Sequence, residues 1–331
     1  MRLATIDTLK KYQATVIPEV NREDISGQIG TEFKLYPRDR LASIIKRQIG
    51  PVLLRLQRQK VQAKIGCALP LPFNDIGIED RFLYEAAQRR LLKNVKSFNA
   101  KSVLVGGCYI AGEEVQFWLR RNVAKCVGVD INCLNDAWAR LLPVLHKQYK
   151  SELDFQLSPL EKMDLPANSV DVVTTTAVLE HVGSLAKVAE ETARVLRPGG
   201  IAIHAFGPLY FTFGGDHCIS SYGEDCGFDH LLLSEEEYSD KINNQAFFDT
   251  QSDPNLPFWA RRKQFSLLTA LEYDQIFREY FDVLYCNAVV SAEALRFRAN
   301  YPEKWARLLS SGIQESDLLI KTINVVLKVK K

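Results

Sequence analysis

The chain has 331 residues, 47% of them apolar and 25% charged, with a formal net charge of +2 at neutral pH. That balance suits one large globular domain with additions and excludes a disordered or fibrous chain. So small a net charge offers no global attraction to nucleic acid or an anionic membrane. Seven cysteines without a CxxC pair suit reduced thiols better than a disulfide framework.

The first residues, MRLATIDTLKKYQATV, contain no apolar run of signal-peptide length. No later stretch approaches the ~18 apolar residues of a membrane span, so a cytoplasmic protein is expected. Residues 1–79 read as a helical extension or cap: an irregular arm, a basic amphipathic helix near 39–60, and a loop marked by Pro70, Pro72, Asn74 and Gly77. Leu41, Ile44, Ile45, Ile49, Val52, Leu53 and Leu56 recur at helical spacing, which predicts a face packed on a protein core and a bend at Gly50-Pro51. Nine Lys or Arg residues between Lys34 and Lys64 face one acid, Asp39. With little aromatic interleaving for base stacking, this cluster reads as the solvated face of a cap helix, placed to help close a pocket.

A second helix from Asp80, DRFLYEAAQRRLLKNV, leads into alternating strands and helices. SVLVGG (102–107), CVGVDI (126–131), DFQLS (154–158), VDVVTTTAV (170–178) and GGIAIHAF (199–206) are strand-like. Helical patterns at 111–121, 135–149 and 184–196 separate them. Continuous apolar strands joined by helical crossovers predict a doubly wound parallel sheet covered on both faces. The rhythm lapses over 207–264, then FSLLTALEYDQIFREY (265–280) predicts a helix, FDVLYCNAVV (281–290) a strand, and TINVVLKVK a last strand.

In such sheets ligands bind beyond the carboxyl ends of the strands. Gly106, Gly107 and Gly112 lie in the first strand-to-helix turn, where glycine lets the backbone approach a ligand. Asp130 ends the second strand about 20 residues later, where an acid can accept hydrogen bonds from a ribose. Its competing role, capping the next helix, can be filled by Asn132 or Asn135.

The succession VLVGG, VGVDI, LEKMDLPANSVDVV, TTAVLEHV and RVLRPGG resembles the class I S-adenosylmethionine (SAM) dependent methyltransferases, closely over residues 80–206. The resemblance implies a Rossmann-like, seven-stranded sheet whose last strand is antiparallel, in a domain spanning 80–331 with 207–264 as a substrate lid. It implies SAM as cofactor, held by Gly106, Gly107 and Gly112 in the first loop, by Asp130 and Ile131 at the ribose, by Glu161, or Asp164 if the loop is shifted, facing adenine, and by Thr175 and Thr176 near the methionine portion. Thr174 is expected to fill the strand. His181 is expected to organise its turn and Glu180 to cap a helix.

Two departures from the family pattern stand out. The acid usual two places before the first loop glycine is Val105, with Glu113 or Glu114 available to replace its charge, and the second glycine is Tyr109, with the third displaced to Gly112. Asp216, His217 and His230 lie in the stretch after the fifth strand and are the candidate catalytic bases, since an attacking oxygen or nitrogen must lose a proton. His217, Cys218, Cys226 and His230 have no standard zinc spacing, and no metal is expected.

The expected reaction is methyl transfer from SAM to an O or N atom of a small molecule, a sugar or a biosynthetic intermediate. The rival readings are an RNA methyltransferase using the basic 34–64 segment and a non-catalytic relative that has lost the cofactor. An NAD-dependent oxidoreductase does not fit the motifs at 161–200. Neither a nucleic-acid partner nor a membrane span is expected.

Overall fold

Apolar runs of strand length, each ended by glycine, an acid or a small polar residue, build the centre of the molecule. The structure, a computed structural model, describes residues 17–27, 35, 41–79, 82–95, 97–217, 223–243 and 265–331. The strands of the main sheet are β2 (Asp75–Ile78), β3 (Ser102–Gly106), β4 (Lys125–Asp130), β6 (Glu152–Leu157), β7 (Val170–Thr176), β8 (Leu196–Phe206), β9 (Phe281–Val290) and β10 (Ile320–Val329). They lie in the order β2-β9-β10-β8-β7-β3-β4-β6. β10 runs antiparallel to both its neighbours, β8 and β9, while the other pairs are parallel. The doubly wound sheet with its antiparallel last strand is as expected. It has eight strands rather than seven, because DIGI at 75–78, in the stretch expected as loop, pairs with β9. β1 (Asn21–Asp24) and β5 (Asn132–Cys133) form a separate two-stranded sheet.

Successive strand residues point to opposite faces, and both faces are dry, as parallel sheets require. Val103, Val105, Val172 and Ile203 pack against α2 (Phe82–Asn94), α3 (Glu113–Leu119) and α4 (Asn135–Gln148) through Leu91, Trp118 and Leu141. Leu104, Val127, Val173 and Ala202 pack against α5 (Leu185–Val195) and α8 (Ala270–Tyr280) through Val188, Ala189 and Phe277. α5 buries the predicted stripe and is capped by Ser184, which accepts from the Lys187 N–H. α8 starts at Ala270 rather than 265, where Thr269 and Glu272 form a reciprocal capping box.

α1 (Leu41–Ile65) passes through Pro51 without ending, and it corrects one expectation. Its buried positions are Arg47, Leu54, Val61 and Ile65, whereas Leu41, Ile44, Ile45, Ile49, Val52 and Leu56 are exposed, Leu56 at 73%. The predicted core face is therefore largely the outer one. Arg47 turns inward because its guanidinium reaches Gln88 and the face of Phe117.

After β8, Leu209, Tyr210, Phe211 and Phe213 pack with Phe228 of the following segment and Leu231 of α6 (Asp229–Leu232). This half of the expected lid is built like core. α7 (Glu235–Asn243) follows; residues 218–222 and 244–264 lie outside the described residues. Three further helices, α9 (Ala292–Asn300), α10 (Pro302–Ser310) and α11 (Glu315–Leu319), join β9 to β10 where the sequence suggested no element.

Candidate functional site

The turn after β3 keeps an unusual backbone. Gly107, Tyr109 and Ala111 all have positive φ, +65°, +45° and +55°. For a residue with a Cβ this left-handed conformation costs about 1–2 kcal/mol, and strain of this kind concentrates at functional sites. The alternation places Tyr109 and Ala111 where two further loop glycines would stand. Gly112 is not the third of them: it has φ −65° and open space around its Cα, and it serves as the N-cap of α3.

Gly107 cannot be replaced cheaply, since a Cβ there would lie 2.3 Å from Val178 Cγ2. Gly106 is tight against Leu160 and Thr175. The loop amides are ordered by the strand beside them. Gly107 and Cys108 donate to the Val129 carbonyl at 2.8 and 3.1 Å, and the Tyr109 N–H donates to Asp130 Oδ2 at 2.8 Å.

Asp130 is buried. Its Oδ1 accepts from the Asn132 backbone N–H at 2.9 Å, and burial raises its pKa against the pull of these hydrogen bonds. The Tyr109 carbonyl accepts from the Trp138 indole at 2.7 Å, while 46% of the residue is exposed. Ile131 is half-buried, and its carbonyl accepts from Asn21 of β1. Beside it Asp24 and Ser26 accept from the Asp136 and Ala137 N–H groups in the first turn of α4. That cap comes from more than a hundred residues away, so neither Asn132 nor Asn135 was its source.

A carboxylate from α3 stands on the face of the sheet that carries Val105. Val105 and Thr174 are register partners, so their side chains leave the same face of the sheet. Thr174 and Thr176 each donate a hydroxyl to one carboxylate oxygen of Glu114 from α3. Burial raises the Glu114 pKa while these two hydrogen bonds oppose the rise. Tyr84 of α2 hydrogen-bonds Thr176, and its phenol pKa is raised by burial. Thr174 thus lines a cavity and bonds Glu114 as well as filling the strand. Thr175 points to the opposite face, where its Oγ1 shares a hydrogen bond of 2.8 Å with His204 Nδ1. The structure thus joins Thr176 to the Glu114 cluster and keeps the Thr175 side chain in the core.

Two cavities meet at Tyr84 and Thr176. One of about 440 Å³ is lined by Lys46 and Arg47 of α1, by Tyr84 and Gln88, and by Glu113, Glu114 and Thr174. Its size lies in the range of small-molecule sites. The other, about 210 Å³, lies over the carboxyl ends of β7 and β8, between Ala177, Phe206, Gly207 and Asn324. α1 thus contributes cations to a pocket wall.

Glu161 is hydrogen-bonded within the protein. Its Oε1 accepts from the Gly183 and Ser184 N–H groups at 2.9 and 3.3 Å, tying the β6–β7 connection to the start of α5. Burial raises its pKa.

The three candidate bases separate. His230 is fully buried, with Nε2 paired to the Tyr210 carbonyl at 2.8 Å and its ring edge-on to Tyr210. Asp216 is buried and accepts from the Tyr238 hydroxyl at 2.6 Å. His217 instead stands 4.6 Å, ring to ring, from His181, next to Glu180. Glu180 is buried, accepts from the Gly207 N–H at 3.0 Å, and has its pKa pushed up to about 8 by burial. The four-ligand set at 217–230 is not assembled: His230 is engaged with Tyr210, Cys226 contacts Asp225, and Cys218 lies outside the described residues. The six described cysteines are free thiols.

Residues 106–204 match a family model described as a methyltransferase domain. Over that region the chain is similar to methyltransferase domains. Two curated relatives are similar over that region. The ubiquinone biosynthesis O-methyltransferase of Bradyrhizobium sp. (strain ORS 278) is 34% identical over 125 residues, 37% of this chain and 47% of that protein. The protein of the same name from Rhodopseudomonas palustris (strain BisB18) is 33% identical over 129 residues, 38% and 48%. The chain spans about half the length of the curated relatives it matches. A crystal structure of an S-adenosylmethionine dependent methyltransferase from Mesorhizobium loti overlays on 73% of this chain and 98% of its own, with a TM-score of 0.43 and 16% identity.

The residues present fit the cofactor that this domain family implies. The Glu114 carboxylate, fixed by two threonines, is suited to a bound amine. Asp130 is fixed at the end of β4 by hydrogen bonds from the Tyr109, Asn132 and Ile131 backbone and from the Asn132 side chain, at the position where a ribose-binding acid is expected.

Proposed function

We propose that this protein transfers a methyl group from SAM to an oxygen atom of a small molecule. The observation that supports this best is the loop backbone at 107, 109 and 111, which retains a glycine loop's conformation although two of the three residues are not glycine. SAM supplies an activated methyl on a sulfonium, whose positive charge disappears as the methyl leaves. The protein's part is to hold the ligand and exclude water. Asp130 and Ile131 flank the ribose position, with Gly106 and Gly107 letting the backbone come close. Glu114, Thr174, Thr176 and Tyr84 orient the amine end.

The acceptor would enter over Ala177 and Gly207, beside the described segment that follows β8, with α1 capping the domain. Burial keeps His217 neutral, because desolvation lowers its pKa, so it is available to accept a proton. Asp216 and His230 would act by placing it. Because the curated relatives are named for O-methylation in the biosynthesis of a quinone, phenols and catechols are the acceptors to try first.

The test is transfer of a labelled methyl from SAM to a panel of phenols, catechols and sugars, read by mass. Incorporation that is lost in Asp130→Ala is expected. SAM consumption without incorporation into any oxygen acceptor, or incorporation unaffected by Asp130→Ala, would contradict the assignment.

A further inference from the structure

At the carboxyl edge of the sheet, one cluster has the composition of a metal site. Glu180 and His181 follow β7 directly, and His217 reaches the same place from the segment after β8. One ligand atom from each lies within 4.8 Å of the other two. Donors 2.0–2.2 Å from a common tetrahedral ion stand about 3.4 Å apart, so a closure of roughly 1 Å by side-chain rotation would complete the geometry.

The second observation is an oxygen without a partner. Glu180 is 1% exposed; its Oε1 takes the Gly207 N–H, while Oε2 is buried with no hydrogen bond. A buried polar oxygen left unpaired is costly, and a bound cation is one of the few things that relieve it.

The surroundings also orient the His217 imidazole. His217 sits at φ +62°, a backbone conformation adopted at a cost, and its Nε2 is 3.3 Å from the Pro208 carbonyl. A carbonyl can only accept, so the ring gives it an N–H and, being neutral, keeps a lone pair on its other nitrogen. Second-sphere bonds of this type fix the tautomer of ligating histidines. Phe265 packs against both rings, at 5.2 Å from His181 and 5.4 Å from His217, as an apolar wall.

We propose that Glu180, His181 and His217 bind one divalent first-row transition-metal ion, zinc foremost. Two imidazoles favour such an ion over magnesium or calcium, which prefer all-oxygen sets. Three protein ligands leave a coordination position open, the pattern of sites where the metal takes an oxygen from water or substrate. Gly207, bonded to Glu180, also lines the 210 Å³ cavity, which places the ion beside the expected acceptor. Delivery of an acceptor hydroxyl to that open position rests on the methyl-transfer reading; metal binding itself does not.

The full chain, stripped with a chelator, is titrated with Co²⁺ and then displaced with Zn²⁺, without any methyl donor. The expected result is one equivalent of Co²⁺ with visible d–d bands and no thiolate charge-transfer band. Affinity should fall at least about tenfold in Glu180→Gln and in His217→Asn. Gln still accepts the Gly207 N–H and Asn tolerates a left-handed backbone, so both variants should fold; circular dichroism and thermal melting check this. Absence of stoichiometric binding, a thiolate band, or unchanged affinity in both variants would overturn the site. None of these results bears on SAM binding, so the two readings fail separately.

Discussion

The loop at 107–112 and the segment at 207–233 both border the carboxyl edge of the sheet, and they carry information in opposite ways. The loop departs from its family's residues yet holds the backbone: Tyr109 and Ala111 adopt the left-handed conformation, and their amides and carbonyls make the ordering bonds. The segment is rich in residues able to do chemistry, yet most of them serve packing. His230 pairs with a carbonyl, Asp216 takes a tyrosine hydroxyl, and Tyr210, Phe211 and Phe213 are buried. A loop can thus keep its main-chain geometry while its side chains drift, and a reactive-looking composition can belong to the core.

The largest effect should come from Gly107→Ala. The left-handed backbone penalty, about 1–2 kcal/mol, adds to about 1–3 kcal/mol for forcing a methyl against Val178. A loss of about 2–5 kcal/mol in urea unfolding is expected, with SAM binding abolished; near-neutral behaviour would break the claim that this glycine is required.

His230→Ala comes next. Leaving the Tyr210 carbonyl unpaired costs about 1–3 kcal/mol, with SAM affinity changed less than twofold by calorimetry. A large affinity change at full stability would return His230 to the site.

The pH dependence sharpens the contrast between the two faces of β7. Burial holds His204 neutral by lowering its pKa from 6.5 to about 3. The unfolded chain therefore takes up a proton that the fold refuses. Above pH 6.5 this has no effect; as the pH falls from 6.5 towards 3 it lowers stability, by up to about 1.4 kcal/mol per pH unit. His204→Gln should flatten that slope in urea unfolding between pH 6 and 4; an unchanged slope would contradict the placement of His204 in the core.

Much of the fold was legible because apolar runs ending in glycine or a polar residue leave few alternatives to a wound parallel sheet. β2 was not, since four residues following Pro72 and Asn74 look like a turn until β9 offers a partner. α1 was misread because apolar residues occur on more than one side of it, and only tertiary contact reveals that Arg47 and Leu54 face inward.

The site was legible in parts. Alternation predicts that Thr174 and Thr176 share a face but not that this face meets Glu114. Nothing in Tyr or Ala signals a left-handed residue. His217 meets Glu180 and His181 only through the return of the chain after β8, although Glu-His at the end of a strand was a hint.

The central claim is that backbone conformation, not glycine itself, makes the first loop competent. Calorimetric titration of SAM into the parent and into Tyr109→Gly tests it most directly. The backbone groups of Tyr109 persist in the variant. Relief of left-handed strain, about 1–2 kcal/mol, is offset by the entropy of an added glycine, about 0.5–1 kcal/mol. The expected result is SAM binding in both, with affinities within a few-fold. Binding by Tyr109→Gly alone, or by neither, would contradict it.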